Sequence, residues 1–477
     1  MSFSLMQVTF AIYLIVIFAL GWAAWKQTKT HQDYLLGGRR LGPMTTALSA
    51  GASDMSGWLL LGLPGLAYDI GLGALWLAMG LLVGTWLNWQ LVAPRLRRET
   101  ERLNSVTLPT WLERRFNDSS HSLRILSALF ILVFFLFYTS SGLVAGGKLF
   151  AEAFGMPYQH AVIAGVVCIG LYTLFGGFLA VSWTDVVQAL LMLAVLIGVP
   201  MFVAALIRED ASLMQHAATR GDLFYVLYDA NGKPFSLLEI ISLCAWGLGY
   251  FGQPHILARF KAIRDPRQLT RAQYIAVSWS FLTLVGAIAV GISGAMYFSD
   301  PLADSEKVLI ALSHALFHPL IAGILIAAIL AAIMSTADSQ LLVCASAISE
   351  DLYLKRTPAH SSAGMARWCL LIMATVATIL AMNPEAGVLD LVSYAWAGFG
   401  ATFGPVILFA LYWKACRRWG AIAGILLGGG TVMIWKNLSG GLFDLYEIVP
   451  GFVAACLGIV VFSYLEFFAT KQSAANP

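Results

Sequence analysis

Apolar residues in this chain come in long blocks, and polar residues gather in the short gaps between them. Blocks long enough to cross about 30 Å of hydrocarbon as a helix lie near 5–25, 43–67, 73–93, 123–150, 160–180, 184–206, 236–256, 272–298, 310–347, 366–382, 387–413, 419–437 and 446–468, which predicts thirteen transmembrane helices. The longest gaps, near 94–122 and 207–235, hold about 29 residues each, too few for a separate domain. The second of these carries Asn231-Gly232, a turn signal that suits a short hairpin. The first block lacks a small-residue cleavage motif and is followed by a basic loop, so it reads as a retained helix and not as a removed signal peptide. The pattern is that of an all-α polytopic membrane protein.

Four blocks contain groups that hydrocarbon penalises. Between Ser49 and Gly65 the lone charge is Asp54, and Gly51, Gly57, Gly62, Pro64 and Gly65 make a continuous helix poor. An ionisable group at membrane depth costs about 2.5–3.5 kcal/mol, and broken backbone is tolerated there only where it lines a site. A break near Asp54 would free the Ala52 and Met55 carbonyls for a hard cation and N–H groups for a carboxylate. The competing reading is a Ser/Gly packing seam. Between Ala331 and Gln340 the interruption is Ser335, Thr336, Asp338 and Ser339, with Ser335 and Ser339 sharing a helix face with Asp338. Two hydroxyls beside the Ala332 carbonyl make a small oxygen cage suited to sodium, although hydroxyls alone often only back-bond to their own helix. Between Ser242 and His255, Trp246, Tyr250, Gln253 and Pro254 are threaded on Gly247, Gly249 and Gly252. No regular helix survives that spacing, and aromatics beside a kink either wall a small-solute pocket or anchor the helix. Asp185, at the start of the sixth block, suits a helix N-cap as well as a site.

Composition narrows the function classes. The chain is 59% hydrophobic and 12% charged, with mean hydropathy +0.77. With the N-terminus outside, 23 of the 29 Lys and Arg residues fall in cytoplasmic gaps, among them Arg39, Arg97, Arg259 and Lys261. The net charge of +3 therefore reports membrane orientation, N-out and C-in, and not nucleic-acid binding. The six cysteines (Cys168, Cys244, Cys344, Cys369, Cys416, Cys456) show no metal or redox spacing and read as buried small hydrophobes. No phosphate loop, HExxH or GxSxG motif occurs, so an enzyme is not expected.

Six stretches carry a resemblance: YLLGGRRLGP at 34–43, SAGASDMSGWLLLGLPG at 49–65, FGGFLAVSWTDVVQA at 175–189, WGLGYFGQPHILARF at 246–260, ILAAIMST with SQLLVC at 329–344, and LVSYAWAGFGATFGP at 391–405. In this order, over nearly the whole chain, they resemble the sodium/solute symporter family, and within it the proline-carrying members. The resemblance implies a LeuT-type 5+5 inverted repeat over the second to eleventh spans. Residues 1–42 would form a first helix and cytoplasmic loop, 43–413 the repeat core, and 414–477 two C-terminal helices and a short tail. It also implies a sodium site of the Ala52, Met55 and Ala332 carbonyls with the Ser335 and Thr336 hydroxyls. Asp54 would be a coupling acid that tunes the field without ligating sodium directly, and Arg39 a cytoplasmic coupling residue. A proline site would draw on Ser56, Gly57, Trp58, Tyr138, Trp246, Tyr250, Gln253 and Pro254. Ala337-Asp338-Ser339 departs from the proline-carrying pattern. Other family members hold polar residues there that join the acid at Asp185, which suggests a second cation site of Asp185, Asp338 and Ser339; the alternative is a protonated or hydrogen-bonded Asp338.

The implied activity is sodium-coupled secondary active uptake of L-proline by alternating access in a bacterial cytoplasmic (inner) membrane. Na+ would be the coupling ion, with no cofactor, no nucleic acid and no obligatory protein partner beyond the lipid bilayer. Another carboxylated solute, such as pantothenate or a short monocarboxylate, is the alternative cargo. A membrane sensor would append a signalling domain, and only about 13 residues follow Tyr464. An ion channel would need no aromatic solute pocket.

Overall fold

The computed structural model describes residues 5–229, 232–352, 359–383, 385 and 387–475. Asn231 and the Cys168 and Cys369 side chains, read from the sequence above, lie outside the described residues. The described residues are almost wholly helical, as hydrocarbon demands of backbone that has no water to bond. Among them, nine helical stretches are long and apolar enough to cross a membrane, beside three shorter apolar helices at Tyr158–Val167, Leu237–Gly252 and Leu371–Leu380. The second half of the second span runs into the third as one helical stretch, Trp58–Arg102.

The second and seventh spans, five apart, each break. The second runs as helix over Pro43–Asp54, leaves helical geometry at Met55 (φ −87°, ψ 83°), and resumes through a π-turn at Trp58–Gly62 into Leu63–Ile70. The seventh begins at a Ser236/Glu239 capping box, runs as α-helix over Leu237–Cys244, and tightens to 3-10 geometry over Ala245–Gly252. It then extends at Gln253 and restarts with Pro254 as its first helical residue, through Ala262. The seventh-span glycines let this distorted stretch lie flat against the eleventh span. A Cβ on Gly249 would stand 1.9 Å from Trp396 Nε1, and one on Gly252 would stand 2.1 Å from the Phe399 carbonyl oxygen.

Three boundaries differ from the sequence reading. The ninth span, expected over 310–347, is two helices, Val308–Leu316 and Pro319–Ser346. Pro319 cannot continue a preceding helix, and the His318 side chain caps the new one at the Leu320 N–H. The sixth span starts at a break at Gly177 (φ 62°), where a Cβ would press on Tyr34, so Asp185 sits two turns inside the helix and caps nothing. Arg259 and Lys261, counted above as cytoplasmic-loop charges, are 0% and 4% exposed. The seventh span carries them inward because it restarts as helix after Gln253. In the 207–235 gap a helix, Ala211–Thr219, is followed by a single bridge between Tyr228 and Pro234 that closes the turn at Gly232 (φ 76°).

Candidate functional site

The break in the second span strips carbonyls of their helical partners. In an unbroken helix the Ser56 N–H would bond Ala52 O; here it donates to Asp54 O (3.1 Å). The Ala52 carbonyl instead meets the ninth span. The Ser335 hydroxyl lies 2.8 Å from Ala52 O and 3.0 Å from Ala332 O, and the Thr336 hydroxyl lies 3.4 Å from Ala52 O. Four of the five oxygens expected for sodium are thus brought together between two helices, all fully or nearly fully buried. Met55, the fifth, sits at the break itself. Neutral carbonyl and hydroxyl oxygens are donors that a hard monovalent cation accepts.

Asp54 points to the other side of the broken helix. The Tyr250 hydroxyl donates to Asp54 Oδ2 (2.6 Å), while the Asp54 backbone carbonyl accepts from Tyr138 OH (3.0 Å) and Trp58 Nε1 (3.2 Å). Three spans are therefore tied to one residue. Asp54 Oδ1 and Asn88 Oδ1 have no hydrogen-bond partner and, with Thr85, line one cavity of about 10 Å³, close to the volume a single water needs. The carboxylate is not part of the Ala52–Ser335–Thr336 cluster.

The expected solute-site residues gather beside this acid. Trp58 and Trp246 face each other with ring centroids 6.3 Å apart, and Gly57 lets the break pack against Ala145 and Ile333. Ser56 Oγ sits 3.5 Å from the Trp58 N–H. Gln253 donates from Nε2 to the carbonyls of Gly249 (3.2 Å) and Trp396 (3.4 Å), which leaves its buried Oε1 as an acceptor without a hydrogen bond. Trp396 is a residue that sequence reasoning missed. Its indole N–H donates to Trp246 O (2.7 Å), tying the eleventh span to the distorted stretch, and its ring packs edge-on to Tyr250 at 5.0 Å. The signal was present in AWAGFG, where Trp396 stands between two alanines.

Asp185 and Ser339 also converge, but around a second missed residue, Arg259. Its Nη2 donates to Asp185 Oδ2 (3.2 Å) and to Ser339 Oγ; its Nε donates to Ser49 Oγ (3.1 Å). Ser49 in turn donates to Asp185 Oδ2 (2.6 Å), and Nη1 donates to the His255 carbonyl (3.0 Å). Arg259, Asp185, Ser49, Ser339 and Asp338 are all 0% exposed. Ser339 donates to Ser335 O (2.8 Å), so the guanidinium is two hydrogen bonds from the Ser335 hydroxyl cluster. Arg39 lies elsewhere, in the loop before the second span. It reaches the carbonyls of Thr100 (3.2 Å), Ser105 (3.2 Å) and Lys261 (3.5 Å), and burial together with nearby Arg97 lowers its pKa. It ties the 34–42 loop to the end of the seventh span, where Leu41 and Ile263 pair.

The chain is similar to known proteins over most of its length. The model of the "Sodium:solute symporter family" matches residues 34–428. A sodium/proline symporter from Escherichia coli (strain K12) is 50% identical over 476 residues, covering 96% of this chain and 93% of the relative. A high-affinity proline transporter from Bacillus subtilis (strain 168) is 48% identical over 463 residues, covering 94% and 95%. Among solved structures, a Na+-coupled sialic acid symporter is similar with a TM-score of 0.79 at 18% identity, covering 97% of this chain and 98% of that one. MhsT in complex with L-phenylalanine is similar with a TM-score of 0.54 at 14% identity, covering 89% and 98%. At such low identity these two speak for the fold alone, which is of the LeuT type. A family model over most of its length and a relative sharing half its residues show that the chain belongs to the sodium:solute symporter family.

Proposed function

We propose that this protein takes up L-proline with sodium by alternating access in a bacterial cytoplasmic membrane, with its N-terminus outside and its C-terminus inside. The observation that carries the reading is the meeting of the Ala52 carbonyl with the Ser335 and Thr336 hydroxyls across a broken helix, beside the Trp58–Trp246 ring pair. The relatives named as proline transporters supply the solute.

Sodium replaces the Ser335–Ala52 hydrogen bond with direct oxygen contacts from Ala52, Met55, Ala332, Ser335 and Thr336. It thereby clamps the second span to the ninth. Clamping fixes the break, and with it the N–H groups near Ser56, Gly57 and Trp58 that receive the proline carboxylate. The pyrrolidine ring packs against Trp246 and Tyr250, with Tyr138 and Pro254 completing the wall. Gln253 Oε1 is the acceptor for the secondary ammonium, because it is buried, uses no hydrogen bond of its own, and is oriented by two carbonyls holding Nε2. Asp54 acts through Tyr250 on the break and contributes negative field without touching the ion. By linkage, sodium raises proline affinity by the same factor that proline raises sodium affinity. One cation moving down the membrane potential gains about 2.3 kcal/mol per 100 mV, enough for tenfold or greater accumulation.

Arg259 supports a reading of one ion per proline. The positive charge facing Asp185 and Ser339 is a tethered guanidinium, so the second cation position suggested by the sequence is served by the protein itself. The test of the whole reading is sodium-dependent proline uptake into proteoliposomes, with pantothenate and short monocarboxylates as competitors. Sodium dependence unchanged in both Asp54→Ala and Ser335→Ala would overturn the site, and stronger competition by another solute would overturn the cargo.

A further inference from the structure

The third span meets the Asp54 side of the broken helix through Asn88, a polar residue that neither the sodium cluster nor the solute pocket uses. The span runs as α-helix over Leu75–Leu87 and widens into a π-turn at Asn88–Val92, where the Ala93 N–H bonds Asn88 O, five residues back. It resumes as α-helix over Ala93–Arg102. π-turns inside helices are frequent at functional sites. One turn before Asn88, Gly84 lets the third span lie flush on the seventh: a Cβ there would stand 2.2 Å from Gly247 O. The close approach sets the buried Asn88 against the distorted stretch, where its Nδ2 donates to Tyr250 O (2.9 Å).

Tyr250 is thus held at both ends. Its carbonyl accepts from Asn88, and its hydroxyl donates to Asp54 Oδ2 (2.6 Å). The remaining oxygens of those two partners, Asn88 Oδ1 and Asp54 Oδ1, are buried acceptors without a hydrogen bond, and both residues line the cavity of about 10 Å³. A carboxylate oxygen and an amide oxygen cannot satisfy each other, since neither carries a proton to give. Left bare, each would bear the cost of a buried polar group without a partner. One water satisfies both, because it has two O–H groups and the cavity is close to its size. Thr85 of the third span and Ser280 of the eighth line the same cavity and bring hydroxyls to it.

We propose that Asn88 is a positioning residue for sodium–proline coupling, acting through one buried water that donates to both Asn88 Oδ1 and Asp54 Oδ1. The circuit from Asp54 through Tyr250, Asn88 and the water then closes on itself. It holds the Asp54 carboxylate away from the Ala52–Ser335–Thr336 cluster and makes the second, third and seventh spans one body at this level. A change that sodium imposes on the break is carried by this body to Tyr250 and the solute pocket. The part in coupling rests on the proposed function; the water rests on the two bare acceptors and their shared cavity.

The test compares substitutions that differ in whether water can take the place of the amide. Asn88→Leu keeps the branched shape and leaves the cavity dry, while Asn88→Ser removes bulk and lets water bond both Asp54 Oδ1 and Tyr250 O. Equilibrium binding of ²²Na+ and of labelled proline to the full-length protein in nanodiscs should weaken together, about tenfold or more in Asn88→Leu and within about threefold in Asn88→Ser, as stranding a buried acceptor or sparing it implies. A residue that only fills space would give the reverse order, because volume-conserving changes are tolerated and cavities are costly. That reverse order, or loss of proline binding with sodium binding intact, overturns the positioning role. A wild-type structure that resolves waters decides the bridge independently, including where Asn88→Leu does not fold. A density peak within hydrogen-bonding distance of both oxygens, present with and without sodium, is the expected result. A direct contact between Asp54 and Asn88, or a peak seen only with sodium, overturns the water. Absence of sodium-dependent proline uptake in the wild type would refute the proposed cargo and leave the density to decide the bridge.

Discussion

Replacing Arg259 by Gln removes a charge that the fold has placed where an ion could otherwise sit. The guanidinium and Asp185 are both fully buried with a 3.2 Å contact, which at an effective dielectric constant of 20 corresponds to about 5 kcal/mol of attraction. A sodium ion about 4 Å from the guanidinium would be repelled by about 4 kcal/mol on the same scale, roughly a thousandfold in affinity. On the proposed reading, Arg259 takes the place of a second ion beside Asp185. In Arg259→Gln the repulsion is gone, and Asp185, Ser49 and Ser339 remain as oxygen ligands. Equilibrium binding of ²²Na+ to purified protein should rise from one to two ions per chain, with a steeper sodium dependence of proline uptake. Arg259→Lys should stay at one. Breaking a buried pair costs about 3–5 kcal/mol of stability, so the glutamine variant should also melt earlier in the absence of sodium and recover on sodium addition. Two sodium ions bound per wild-type chain would refute the reasoning outright. One ion per chain in folded Arg259→Gln would refute the exclusion, and should that variant not fold, the wild-type count alone decides.

Other changes test the remaining contacts. Ser335→Ala removes a hydroxyl that meets both Ala52 O and Ala332 O, and should raise the sodium half-saturation about tenfold while sparing expression, read from uptake against sodium concentration. Tyr250→Phe deletes the donor to Asp54 Oδ2, leaving a buried acceptor unpaired at a cost of about 1–3 kcal/mol, and should weaken proline and sodium binding together; an effect on proline alone would argue against Asp54 as the link. Gly249→Ala drives a methyl group to 1.9 Å from Trp396 Nε1, so the variant should lose about 1–3 kcal/mol or more and show a lower melting temperature. Trp396→Phe keeps most of the packing but removes a donor to the Trp246 carbonyl, and should cost about 0.5–1.5 kcal/mol and weaken proline binding more than sodium binding; equal weakening of both would count against its place beside the solute site.

The membrane class and the broken helices are legible in one dimension. Hydrocarbon forces backbone groups to bond within each helix, so every span needs a long apolar run that shows in the order of residues. The cost of charge at depth marks Asp54 from its apolar neighbours alone, and GLGYFGQP announces the distortion of the seventh span. Local chemistry also puts Ser335 and Thr336 beside the Ala332 carbonyl. Which spans meet is a matter of three-dimensional packing. That Ala52 O rests on Ser335, that Tyr250 reaches Asp54, and that Trp396 holds Trp246 O are contacts across 283, 196 and 150 residues of chain. Neither partner carries a sequence mark naming the other, because helix packing in lipid runs on small residues and single hydrogen bonds. Arg259 shows the limit most plainly. Three residues beyond an apolar block it has the look of a loop charge, yet the restart of the helix at Pro254 turns it inward onto Asp185, where burial and pairing give it a role that spacing could not reveal.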